Sequence, residues 1–335
     1  MDKKHLLLAN EAPIYISGTS TNMIKIPHLT TLLSLILLLT SYGCNTPKEE
    51  KKVIKKLSFD SIIGIRYQEV KRRFSNGLSF NEMGFQQEPS WIIQFKSNDT
   101  VMAYSPQKKK MQPFFLMFDH GDVYNFANEY FRIKKISKDS LVFQRLHLQK
   151  KEISKDIRSD VNITYYSDNY LKNVLKTTAE ELQKPSKADT IYVQWLSARS
   201  NRNPQNLDSA FAGRQPVEFT PVSKLIKVKK ITTIDPFMGR TLSYDYLFPY
   251  YRIDIDKAYK DFAYEFNVLV NANGKMYLTT FGNVLPEHKE ARKKSLEAII
   301  SVYLQNLLAV TPGKTLGIPH SSEIKLVVQG KKTNK

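Results

Sequence analysis

From Leu57 to about Gln149 the apolar positions fall in short alternating runs broken by polar turns. The runs are Ser90–Phe95, Thr100–Ser105, Pro113–Phe118, Asp122–Ala127, Glu129–Ile136 and Ser140–Leu148. The breaks Ser97-Asn98-Asp99, Asp119-His120-Gly121 and Ser137-Lys138-Asp139 have the composition of hairpin turns. This spacing predicts an antiparallel β-meander that curls into a sandwich or partial barrel. Residues 156–235 are mixed. Asp168–Lys184 places Leu171, Val174, Leu175, Thr178 and Leu182 on one helical face, and Pro185 stops it. Asp189–Ala198 reads as a strand, Arg199–Gln215 as a polar loop and Leu225–Ile231 as an alternating strand. Near the C-terminus Phe262, Tyr264, Phe266, Val268 and Val270 alternate strictly with their neighbours. The Asn273-Gly274 pair turns that strand back into Met276–Phe281. Pro286 opens an amphipathic helix over about Glu287–Leu308. Ser322–Val328 is a last alternating strand, which completes the order β, β, α, β. The whole is α+β.

One stretch departs from this pattern. Within residues 23–47 a short basic start at Lys25 leads to an apolar run, Leu29–Leu39, and then to small or polar residues that end on Cys44, the single cysteine of the chain. The run is short for a membrane span and has the layout of an export signal, the alternatives being a buried helix or a retained anchor. The segment resembles a bacterial lipoprotein signal, with small Gly43 before the cysteine and Ser41 where such signals usually carry Leu. The resemblance implies that Cys44 is acylated and becomes the new N-terminus. Met23 is a second plausible start, so residues 1–43 are expected to be removed. Asn45–Lys56 is then a charged tether. Asn45, in place of the Asp that often retains lipoproteins in the inner membrane, favours the periplasmic face of the outer membrane.

Charge and cysteine usage narrow the function. Of 335 residues, 50 are Lys or Arg and 32 are Asp or Glu. A charge of about +17 stays on the chain after Cys44 and favours anionic surfaces. The basic residues are dispersed without the stacking aromatics of a nucleic-acid groove, and export argues against nucleic acid as partner. A body without cysteine has no disulfide and no thiolate chemistry. The histidines after Cys44 (His120, His147, His288, His320) are not at metal-ligand spacing, and no hydrolase, zinc or phosphate-loop motif occurs. Asp254 and Asp256 share a face of one strand among packing residues. The reading is therefore non-enzymatic, with neither metal nor cofactor. Arg199, Arg202 and Arg214 form a candidate anion site.

The words YEFNVLVNANGKMY, KKSLEAIISVYLQN, TPGKTLGIP and SEIKLVV, in that order over about residues 245–330, resemble the C-terminal domain of the TonB family. The Asn-Gly-Lys turn, the aliphatic helix, Pro312-Gly313-Lys314 with Gly317 and Pro319, and the final strand carry the likeness. The chain lacks the uncleaved helix and Pro-rich spacer of that family, so transmission of the proton-motive force is not implied. What the resemblance implies is an open strand edge that takes an extended peptide by β-augmentation, expected at Glu323, Ile324, Lys325, Leu326, Val327 and Val328. EYFRIKKISKDSLVFQRLHL is similar to the terminal hairpin of small lipocalin-like lipoprotein domains. That likeness implies the alternative function, a carrier whose cavity would lie among Trp91, Phe95, Phe115, Phe131 and Phe143. Five segments result: residues 1–43 removed, 44–56 a tether, 57–150 a β domain, 151–235 a connecting region and 236–330 a TonB-like domain. The expected partners are membrane lipid through Cys44 and an envelope protein or cell-wall component, with the oligomeric state open.

Overall fold

The structure is a computed structural model that describes residues 56–150, 152–154, 159–232 and 243–332. Cys44, the signal and most of the tether lie outside these. Residues 54–335 make one compact unit. None of its described helices is long and apolar enough to cross a membrane.

The first half is a nine-stranded antiparallel sheet. Its strands are β1 (Arg66–Phe74), β2 (Ile92–Ser97), β3 (Thr100–Ser105), β4 (Lys110–Phe115), β5 (Met117–His120), β6 (Val123–Phe126), β7 (Glu129–Ile136) and β8 (Ser140–Leu146). A small hairpin, β9 (Leu148–Gln149) with β10 (Glu152–Ile153), precedes β11 (Val161–Ser167). β1 pairs with both β2 and β11, so the first and last strands are neighbours. The ring is then nearly complete. β4 pairs with β3 and β5 pairs with β6, and only Leu116 separates β4 from β5. Counted round the order of strands, β4 and β5 run in the same direction. Inward Phe114, Leu116 and Phe118 alternate with outward Phe115 and Met117 across the junction. One bent strand, 110–120, thus passes from one neighbour to the other and brings the sheet close to an eight-membered barrel.

Side chains fill the interior. Phe95, Tyr124, Phe126, Phe131, Phe143 and Tyr165 are buried, with ring contacts that run Phe126–Phe131–Phe143–Tyr165 at 4.7, 6.0 and 5.3 Å. The segment before β1 plugs one end: Phe59 stacks on Phe95 at 4.6 Å and Ile62 is fully buried. A charged pair is also taken inside. The fully buried Glu69 accepts from Arg72 Nε at 2.6 Å and Nη2 at 3.0 Å, and from the N–H groups of Ser90 and Trp91 at 2.9 Å each. Burial alone would lower the Arg72 pKa, but Glu69 outweighs it and holds the guanidinium charged. Four donors on one carboxylate satisfy a charge that would otherwise be costly to bury.

The region between the sheets is a joint built on helices. After a π-helical stretch, Tyr170–Val174, come α1 (Ala179–Gln183) and α2 (Lys187–Arg202). The expected continuous helix over Asp168–Lys184 is interrupted. Lys176 adopts a left-handed φ of 51° and Thr178 caps a new start by accepting from the Glu181 N–H, which leaves Val174 and Leu175 exposed. The strand expected at Asp189–Ala198 is helix α2. A capping box between Ser186 and Asp189 starts it, and Val193, Leu196, Ser197 and Ser200 bury one helical face. Local β-propensity from Thr190, Ile191, Tyr192, Val193 and Trp195 yields to that cap and to burial.

The second half holds β12 (Glu218–Pro221), β13 (Ile226–Ile231), α3 (Tyr244–Leu247), β14 (Tyr250–Asp256), β15 (Phe262–Val270) and β16 (Met276–Phe281). Then follow α4 (Pro286–Ala298), a π-helical stretch (Ile299–Leu304), α5 (Gln305–Leu307), β17 (Leu308–Thr311), β18 (Lys314–Thr315), β19 (Ile318–Pro319) and β20 (Ser322–Lys331). Five strands form a sheet in the order β13-β14-β20-β15-β16, and β12 pairs with β17. One face of the sheet packs on Leu296, Ile299, Ile300 and Leu304. The other is a polar lattice of Arg252 with Asp254, Lys325 with Glu265, and Asn267 and Thr279 with Glu323.

Both boundaries of the expected connecting region change, since its β13 is a strand of the second sheet. β11 lies in the expected connecting region yet is needed to close the first sheet. That region is also no free linker. Asp189, at the start of α2, accepts from the Ser79 N–H and from Arg73 Nη1, each at 2.7 Å. At the other end of the helix Ser200 Oγ accepts from the Ser321 N–H at 3.1 Å. The β1–β2 loop meets the second half closely as well: a Cβ on Gly84, whose φ is +83°, would stand 2.2 Å from the Ala212 carbonyl oxygen.

Candidate functional site

The expected edge, Glu323–Val328, is not an edge. β20 runs through the middle of its sheet, parallel to β14 on one side and antiparallel to β15 on the other, so neither row of backbone groups is free. Its Ile324, Leu326 and Val328 are core residues. The covering strand β14 precedes β15 by a turn, and its Tyr251, Ile253 and Ile255 alternation is itself visible in the sequence.

The edges that remain are differently guarded. β13, at one end of the five-stranded sheet, carries Lys227, Lys229 and Lys230, which discourage strand addition. β4 holds Pro113 and begins with Lys110, directly after Lys108 and Lys109. β16, at the other end, has no charge and no Pro over Met276–Phe281. A bulge interrupts its register with β15 between Phe266 and Val268, and the pairing stops at Phe266–Phe281. The first residues of β15, Phe262–Glu265, therefore have β20 on one side and, among the described residues, no strand on the other.

That notch is the candidate site. A hollow of about 120 Å³ lies in it, lined among others by Tyr264, Glu265, Phe281, Asn283, Arg292 and Leu296. β15 supplies Tyr264 and Glu265, the chain leaving β16 supplies Phe281 and Asn283, and α4 supplies Arg292. The Arg292 guanidinium stands 4.5 Å from the centre of the Tyr264 ring, a cation–π arrangement that holds it at the rim. On the polar face Lys325 Nζ is 2.6 Å from Glu265, which holds the Lys325 amine above its ordinary range, with Tyr250 beside the pair. The site offers free backbone groups, one aromatic wall and one cation, which suits recognition of an extended chain.

Other sequence candidates separate. Of the three arginines, Arg199 lies over Trp195 at 5.0 Å, while Arg214 lies over Tyr246 at 4.4 Å and pairs with Glu88. Arg214 thus joins the β1–β2 loop to the second half. Of the five aromatics expected around a cavity, Phe95, Phe131 and Phe143 are core residues, Trp91 is half-buried against Phe126, and Phe115 points outward, 80% exposed. Asp254 engages Arg252. His320 is buried on Phe211 at 3.5 Å, and burial lowers its pKa to about 4. Its Nδ1 lies 3.2 Å from the Ser321 carbonyl, so the proton sits there and Nε2 accepts from Thr315 at 3.0 Å.

Fold and site together define a β-rich protein with a filled near-barrel joined to an α/β-layered sheet. No protein-family model matches the chain, and a search of curated proteins returns no significant match.

Proposed function

We propose that the protein is a non-enzymatic envelope lipoprotein, anchored through acylated Cys44 at the periplasmic face of the outer membrane, that acts as an interaction module. In this reading residues 236–330 are a TonB-like domain, and its docking element is the notch beside β15. The observation that carries the reading is the unpaired edge of Phe262–Glu265, next to an edge strand with no charge and no Pro. An extended segment of an envelope partner adds there as a further strand, with backbone hydrogen bonds for affinity and the hollow at Tyr264 and Arg292 for selection. The ring of β1–β8 and β11 also has the outline of a carrier. Its interior aromatics take up the space an apolar ligand would need, which favours docking.

The test is an envelope pull-down with the wild-type protein and with Ala263→Lys and Thr280→Lys, both at exposed positions. A partner that the wild type retains and both variants lose, with unchanged thermal unfolding, is the expected outcome. A partner list unaffected by both substitutions sinks the reading.

A further inference from the structure

The largest apolar exposures of the barrel sit together on one strand. Phe115 is 80% and Met117 57% exposed, at the point where strand 110–120 changes partners. The same outward row contains Pro113, and its cross-strand neighbours on β3 are Met102 and Thr100. One end of the row is basic: Lys108 and Lys109 in the β3–β4 turn and Lys110 at the start of β4 are all exposed. Nearby acids are partly engaged. Asp119 pairs with His120 at 2.6 Å, and Asp99 accepts from Ser97 and Thr100.

The chain enters the barrel beside this row. The Leu57 N–H donates to the Tyr124 hydroxyl at 2.9 Å, and Tyr124 is the cross-strand partner of Phe118. Asp99, whose carbonyl accepts from the Leu116 N–H at 2.7 Å, is held below its ordinary pKa by hydrogen bonds from Ser97 and Thr100, with a smaller contribution from Lys56. Lys56 closes a twelve-residue stretch from Asn45 with five lysines and two glutamates. The described structure therefore begins, at Lys56 and Leu57, beside strand 110–120.

We infer that the outer face of strand 110–120 lies against an anionic lipid surface, with Phe115 and Met117 entering the headgroup boundary and Lys108–Lys110 over the phosphates. Exposed aromatics with flanking lysines are the chemistry of interfacial binding. The location of the anchor rests on the lipoprotein reading; the lipid contact itself does not need acylation.

The experiment separates the two. The non-acylated chain from Asn45 to Lys335, which contains both hydrophobic cores whole, is floated with vesicles of phosphatidylcholine alone or rich in phosphatidylglycerol. Binding to the anionic vesicles is expected, with a loss of about fivefold for each of Lys108, Lys109 and Lys110 changed to Gln. Tryptophan fluorescence in a Met117→Trp variant should gain a component quenched by brominated lipid, while the emission of Trp91 and Trp195 in the unaltered chain should not be quenched. Absence of binding to anionic vesicles overturns the inference, as does a Phe115→Ser, Met117→Ser pair that converts a dimer to a monomer without altering lipid binding. Radiolabelled palmitate incorporation at Cys44, measured in cells, reports separately on the anchor.

Discussion

The barrel and the five-stranded sheet solve the same problem in opposite ways. Both present an apolar face every second residue, but the barrel curls until that face meets itself, whereas the second sheet covers its face with α4 and the π-helical stretch after it. Curling nearly removes edges, and it forces any polar residue on the inner face to find a partner inside. Covering leaves the polar face and two edges in water. The difference places the costs of the first half in its interior and the opportunities of the second at its rim.

The largest effect should follow from breaking the barrel's interior. Glu69→Ala leaves Arg72 facing inward without its carboxylate, and removes the acceptor for Ser90 and Trp91. Loss of about 3–5 kcal/mol is expected in urea unfolding. A change within 1 kcal/mol would mean that the clamp is not what holds β1 to β2.

The helical joint should come next, through pH. His320, buried with its pKa lowered to about 4, binds a proton more readily in the unfolded chain. Its contribution is complete above pH 6.5 and is lost as pH falls toward 4, at most about 3 kcal/mol. His320→Phe preserves the stack on Phe211 and should flatten the change in melting temperature between pH 7 and pH 4.5. Asp189 acts in a lower window. Burial pushes its carboxyl up, but hydrogen bonds from Ser79, Arg73 and Ser186 outweigh this and bring it to about 2. Its contribution is present above pH 3.8 and is lost as pH falls toward 2. Asp189→Asn should cost about 2 kcal/mol at neutral pH and should remove the acid sensitivity below pH 4. Hydrogen exchange would then find the two sheets opening separately, if α2 is the strut that couples them.

The sequence carried these regions unequally. Hairpin-linked strands such as Thr100–Ser105 and Glu129–Ile136 stand where their alternation puts them, because turn residues and partner lie within a few positions. β1 and β11 escaped, although Val161–Ser167 buries every second residue, because their pairing joins segments about a hundred residues apart. Asp189–Ala198 reads as a strand because its residues favour β locally, and only the Ser186 cap and the burial of Val193 and Leu196 decide for helix. The edge was misplaced for a related reason. Alternation in Glu323–Val328 tells which face is buried, and nothing in it tells how many neighbours the strand has.

The smallest stability effect should come from the site itself. Thr280→Lys adds a charge to an exposed position of an edge strand and is expected to change stability by less than about 0.5 kcal/mol, in contrast to Glu69→Ala. That contrast, proposed docking at the rim and stability in the interior, would be undone by a Thr280→Lys protein that melts early.

Site-specific photocrosslinking in living cells tests the docking claim most directly. A benzophenone residue placed at Thr280 should capture one envelope protein in high yield, while the same probe at Lys229 on the opposite, lysine-guarded edge should capture none. Equal capture from both positions, or capture from Lys229 alone, would contradict the assignment of the notch beside β15 as the docking edge.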